Sequence, residues 1–136
     1  KVEIADEDNE KKLGLGGRES LDSDAGMLFI YNSAGKYAYW MKGLKFPIDF
    51  IWIMGETVAD LLPNVHPPLP NQEDSTLERY TSKVPVNKVL EVNSGFIAAN
   101  NIKVGDKIVL ENTQQIIENP IPAESTSSGG FGELGN

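Results

Sequence analysis

The sequence predicts a mainly β fold of the α+β kind, a small barrel-like sheet of about seven or eight strands with one or two short helices. Three observations lead there. Short runs of bulky apolar residues recur, each bounded by glycine, asparagine or proline turn signals. The run Pro47–Met54 is apolar on both of its alternating faces, as a strand covered on both sides must be. Little of the remaining chain reads as helix.

Taken in order, Lys1–Ala5 alternates polar and apolar residues like a short strand. Asp6–Lys12 is charged and suits one or more helical turns, with Asp6 or Asp8 as the cap. Three glycines within Gly14–Gly17 then force a turn or loop. Met27–Tyr31 has strand-like bulk, and Asn32–Lys36 reads as a turn. Tyr37–Met41 and Pro47–Met54 are the next strands, and Gly55-Glu56 turns the chain into Thr57–Leu62. Four prolines (Pro63, Pro67, Pro68, Pro70) then mark Pro63–Pro85 as a long, extended surface loop, the kind that is usually functional. Val86–Val92 resumes a strand. Ser94 suits the N-cap of a short helix over Gly95–Asn100, with Asn101 at its left-handed end. Val104–Leu110 supplies a turn and a closing strand. Residues 1–112 thus form one β-barrel-like domain, followed by a Pro/Ser/Gly-rich tail over 113–136. Ile116, Ile117, Phe131 and Leu134 are the tail's only apolar anchors.

The chain has 136 residues, enough to bury roughly two thirds of its unfolded surface. Twelve basic residues against twenty acidic ones give a net charge of −8. That balance disfavours nucleic acid and anionic membrane surfaces, which call for a basic face. Without cysteine there is no disulfide, thiol catalyst or thiolate metal site. No run approaches the roughly 18 apolar residues of a membrane helix.

Six blocks in sequence resemble domain of unknown function family 192. They are Gly14-Leu15 with Gly17-Arg18, then Gly26-Met27-Leu28-Phe29, then Trp40-Met41-Lys42. Phe46-Pro47-Ile48-Asp49-Phe50-Ile51-Trp52-Ile53 follows, and Val89–Gly95 and Ile102–Ile108 complete the series across roughly Val2 to Leu110. The resemblance implies a compact β-barrel-like domain, often exported or membrane-anchored, and no assigned activity. Gly43 stands where an Asn often follows the Trp-Met-Lys block, and the proline-rich loop and Ser/Gly tail are particular to this chain. The expected setting is extracytoplasmic, periplasmic or secreted. The chain opens on Lys1 rather than Met, which a cleaved export signal and a trimmed terminus explain equally well.

Asp49 is the chemically conspicuous residue. A carboxylate inside an apolar strand must be paired or neutralised, and Lys42, Lys45 and Arg18 are the cations at hand. Lys42 or Arg18 is the expected partner. Tyr37 and Tyr39 share one face and Trp40 the other, so one side of this aromatic group is expected to be exposed. The candidate ligand-binding set is therefore Trp40, Lys42, Asp49, Arg18, Tyr39 and Tyr37, with the Pro63–Pro85 loop at its rim. Rings beside a few polar groups suit a small-molecule or polysaccharide ligand bound by a non-catalytic accessory domain. The alternatives are a glycosidase-like hydrolase using a carboxylate pair from Asp49, Asp60 and Glu91, or a structural protein-interaction module. Glu91, set between Leu90 and Val92, is expected to point outward. His66, the single histidine, has no accompanying ligands or nucleophile, so no catalytic residue, metal or cofactor is expected.

Overall fold

Alternation along one strand decides the architecture. In β4 (Ile48–Met54), Ile48, Phe50 and Trp52 join one apolar cluster, while Ile51 and Ile53 join another on the opposite face. All of them are fully buried, so β4 must lie inside a sheet that is covered on both sides. The structure, a computed structural model, describes residues 1–111 and 133–135. It places β4 between β5 (Thr57–Val65) and β6 (Val86–Asn93), antiparallel to both. Beyond β6 lies β2 (Gly26–Gly35), and β1 (Val2–Ala5) runs parallel to β2 at the edge. The strand order is β1-β2-β6-β4-β5.

The mainly β class and the two short helices are as expected, but the sheet does not close into a barrel. Its edge strands, β1 and β5, each pair with a single neighbour. The predicted closing strand, Val104–Leu110, is tied to the edge by an isolated bridge between Thr57 and Lys107 and three backbone hydrogen bonds with Glu56 and Val58, and Val104, Val109 and Leu110 are exposed. Two further strands form a separate pair, β3 (Ala38–Tyr39) with β7 (Glu133–Gly135). Through that pairing the end of the tail docks on its own domain. The expected anchors Ile116, Ile117 and Phe131 lie outside the described residues.

Helix α1 (Asp8–Leu13) begins at Glu7 rather than at Asp6 or Asp8. The Glu10 side chain reaches back to accept the amides of Asp6 and Glu7, satisfying donors that the first turn leaves open. The second helix, α2 (Phe96–Ala99), is a single turn that starts from Gly95, not from Ser94. The Ser94 hydroxyl instead donates to the Asn64 side chain. Asn101 takes the left-handed conformation expected of it, φ 50°.

The larger core covers the face of Phe50 and Trp52. Phe29 and Trp52 meet Tyr39 edge-on, with centroids 5.1 and 5.7 Å away, and Phe50 stacks on Trp52 at 5.3 Å. Two turns lie over this side. The Gly17 amide donates to the Gly43 carbonyl at 2.8 Å, joining the glycine-rich loop to the turn after Trp-Met-Lys. Gly43 sits at φ 79°, a left-handed position that glycine and asparagine both tolerate, so its substitution for Asn keeps the turn. Gly26 meets a different demand. A Cβ there would stand 2.9 Å from the Glu91 carbonyl oxygen, inside the central ladder.

Candidate ligand-binding site

Among the described residues Asp49 has no cationic partner. It lies on β4 with its side chain opposite the aromatic core, completely buried. One carboxylate oxygen accepts the Asn64 amide at 2.8 Å, and the other accepts the amides of Gly95 and Ile97 at 3.2 and 2.9 Å. Three backbone donors thus replace the expected lysine or arginine, because the chain turns around the carboxylate at both the end of β5 and the start of α2. Asn64 is itself held at φ 59°. Asp49 is a knot between three segments, and its complete burial keeps it from a ligand.

The expected cations are committed elsewhere. Arg18 makes a two-pronged pair with Glu3, at 2.6 and 3.0 Å, and those hydrogen bonds raise its already high pKa. Lys45 pairs with Glu19, and Lys42 with Asp74 at 2.8 Å. Tyr37 and Tyr39 are core residues rather than a platform: Tyr37 stacks on Tyr31 at 3.5 Å, and the Tyr31 and Tyr39 hydroxyls meet at 2.6 Å. Of the three aromatic residues in the set, only Trp40 is partly exposed, in keeping with its opposite parity to Tyr39. Lys42 and Arg79 lie over its ring, at 5.3 and 5.4 Å from the centroid.

Nor do the three carboxylates converge. Asp60 accepts the amides of Leu61 and Lys83, so it too is a backbone clamp. Glu91 does not point outward. It pairs across the ladder with Phe50 on one side and Met27 on the other, and it is fully buried. That puts it on the aromatic side of the sheet, away from Asp49. The expectation failed because β6 is central, with both of its faces covered. Among the described residues neither carboxylate oxygen of Glu91 has a hydrogen-bond partner, and burial raises its pKa well above the ordinary value.

The structure does bring the Trp-Met-Lys block to the proline-rich loop. Tyr39 and Tyr80 exchange both backbone hydrogen bonds, at 2.9 and 2.8 Å, which pins the far end of the loop beside β3. The fold between them leaves a cleft of about 210 Å³ lined by Met41, His66, Pro67, Pro68, Gln72, Thr76, Leu77, Glu78 and Tyr80. Some of its polar groups serve to brace the loop. The Gln72 side chain accepts the Leu69 amide and donates to the Thr76 carbonyl, while the Thr76 hydroxyl donates to the Glu73 carbonyl. His66, Glu78 and Tyr80 remain to face a ligand. The Tyr80 phenol is pushed up, first by burial and then by the Glu78 carboxylate, through its charge and a hydrogen bond. The Lys42–Asp74 pair spans the same two segments.

Of these lining residues the sequence signalled only the loop as a whole, through its length and prolines. His66, Gln72, Thr76 and Glu78 carry no periodicity or motif. Their meeting with Met41 depends on the Tyr39–Tyr80 pairing, which joins residues far apart in the chain.

The model of domain of unknown function family 192, described as an uncharacterized ACR, matches residues 1–110. No curated protein matches the chain. Two solved structures are similar, each with a TM-score of 0.69. One is from Sinorhizobium meliloti 1021, 28% identical, covering 78% of each chain, and named as a transcription-regulator candidate. The other, from Novosphingobium aromaticivorans DSM 12444, is 29% identical, covers 80% of this chain and 74% of its own, and is named as a protein of unknown function. Among the described residues no helix is long and apolar enough to cross a membrane.

Proposed function

The chain belongs to domain of unknown function family 192, and on that footing we propose that it is a non-catalytic ligand-binding domain whose site is the Met41–Tyr80 cleft. The observation that carries this reading is the meeting, in one cleft, of His66, Glu78 and Tyr80, which do not brace the loop backbone, with Met41, Pro67, Pro68 and Leu77. Its lining is more polar than apolar, which suits a ligand rich in hydroxyl groups. The volume lies below the roughly 300–1,000 Å³ of sites for drug-sized ligands, so it suits one ring rather than a longer segment. A carbohydrate is the ligand class we favour. Its hydroxyls would meet the three polar groups and its apolar ring face the prolines and the Tyr80 ring. Trp40, with Lys42 and Arg79 on its ring, borders the same turn and would act at the rim.

An extracytoplasmic role is part of the proposal and rests on the family resemblance; cell fractionation tests it. The regulator label belongs to the Sinorhizobium protein alone. Here a net charge of −8 opposes contact with a phosphate backbone, and we propose no nucleic-acid role. A carboxylate-pair hydrolase has no support from the positions of Asp49, Asp60 and Glu91.

A glycan and polysaccharide screen with the wild type, His66→Ala combined with Tyr80→Phe, and Trp40→Ala tests the reading. The wild type is expected to bind at least one sugar. The double variant should lose tenfold or more, and Trp40→Ala should weaken binding less. A folded wild type that binds no sugar, or a double variant that binds as well as it does, sinks the proposal.

A further inference from the structure

The cleft spends part of its donor capacity on its own loop and carries one carboxylate, Glu78. Pro67 and Pro68 have no amide hydrogen to give. The Gln72 amide group and the Thr76 hydroxyl donate to the Thr76 and Glu73 carbonyls of the loop itself. That leaves the second N–H of the Gln72 amide, the ring N–H of His66 and the Tyr80 hydroxyl, which interacts with the Glu78 carboxylate, as the lining side-chain donors not tied to the loop backbone. Glu78 is the one acidic side chain in the lining. Lys42 is paired with Asp74, and both Lys42 and Arg79 lie over Trp40. Glu78 and Tyr80 are two residues apart and line the cleft together, whereas Arg79 between them lies over Trp40, outside the lining.

A carboxylate beside an aromatic ring is complementary to a donor-rich cation. An ammonium can give three hydrogen bonds and also lie against the face of Tyr80. A uronic or sulfated sugar would be repelled by Glu78, and by the −8 charge of the whole chain. We propose that the ligand of this cleft carries a free amine, and that within the carbohydrate reading, on which this inference rests, it is an amino sugar held through Glu78. Glu78 is exposed, so Glu78→Gln leaves the fold intact and removes only the charge.

Calorimetric titration of the whole chain with four probes provides the test: a glucosamine tetramer, its fully N-acetylated counterpart, a galacturonate tetramer and a lysine-containing peptide. The expected result is that the deacetylated tetramer binds at least tenfold more tightly than the acetylated one, and that the galacturonate does not bind. Glu78→Gln should abolish the preference, the two tetramers then binding equally, and added salt should weaken the wild type's preference. Equal binding of the two tetramers, or a preference that survives in Glu78→Gln, overturns the amino-sugar inference and leaves the carbohydrate reading standing. Absence of binding by every sugar, with or without binding of the peptide, overturns both.

Discussion

Replacing Asp49 with alanine is expected to lower the unfolding free energy by about 3–5 kcal/mol, the range for stripping the partner from buried charged hydrogen bonds. The substitution orphans the amides of Asn64, Gly95 and Ile97 together. Each buried donor left unsatisfied costs about 1–3 kcal/mol. Asn64 has a further reason to respond, because its φ of 59° is one that a non-glycine residue holds only when its surroundings impose it. Two residues beyond Asn64 stands His66, on the wall of the cleft. The loss should therefore appear in urea denaturation as a lower midpoint. In hydrogen exchange it should appear as earlier opening of the β5 end and of α2. Asp49→Asn tests the chemistry separately: it keeps the shape but presents an NH₂ where one amide needs an acceptor, so it should fall between the wild type and alanine. A variant as stable as the wild type would show that the carboxylate is not the knot described above.

Glu91 should behave in the opposite way. Glu91→Leu is expected to stabilise the protein by about 1–3 kcal/mol at neutral pH, because it removes a buried carboxyl with no partner from an otherwise apolar row. The pH dependence follows from the direction of its shift. Burial raises the folded-state pKa well above 4.5, so the folded state keeps the proton while the unfolded chain has already released it. Stability contributed by the protonated form is whole below the ordinary carboxylate range and declines as pH rises through the window up to the raised value. Over that window the gap between variant and wild type should widen by about 1.4 kcal/mol per pH unit, and it should level off above the raised value. Chemical denaturation of both proteins from pH 4 to 9 reads this directly. A gap that is constant with pH would mean that Glu91 titrates like an exposed carboxylate.

The two acids show what the sequence can and cannot reveal. Asp49 stood out because it interrupts a run that is apolar on both faces, and the demand that it be paired was sound. Its partners were invisible because they are backbone amides brought together by Asn64 and by Gly95–Ile97, and amides carry no signature in the residue types. Glu91 was misplaced for a related reason. Alternation with Leu90 and Val92 describes an exposed acid only if one face of the strand meets water, and the central position of β6 follows from topology. Strand positions were largely legible from periodicity and turn residues: β4 and β6 match the predicted runs to within a residue, whereas β2 and β5 run on through Asn32–Gly35 and Pro63–Val65, which read as turn and loop. Closure of the sheet was not, because Val104–Leu110 looks like a strand locally but has exposed apolar side chains and makes only one bridge.

Tyr37, Tyr39 and Trp40 illustrate the same limit within the candidate site. Their parity correctly separates Trp40 from Tyr39, yet it cannot say which face is core. The density of rings around Tyr39, where Phe29, Phe50 and Trp52 all meet it edge-on, settles that face as interior. What remains for recognition is the cleft that the loop makes against Met41. It depends on Asp49 and on the Tyr39–Tyr80 pair for its shape, and on His66, Glu78 and Tyr80 for its chemistry.

The most direct measurement is a backbone amide chemical-shift map of the isotope-labelled protein titrated with the glucosamine tetramer. If the cleft is the site, the shifted amides cluster at Met41–Lys42, His66, Leu69–Leu77 (where not proline) and Glu78–Tyr80, while Arg18, Asp49 and Glu91 stay in place. Shifts centred on Arg18 and Asp49 with a silent cleft would contradict the account.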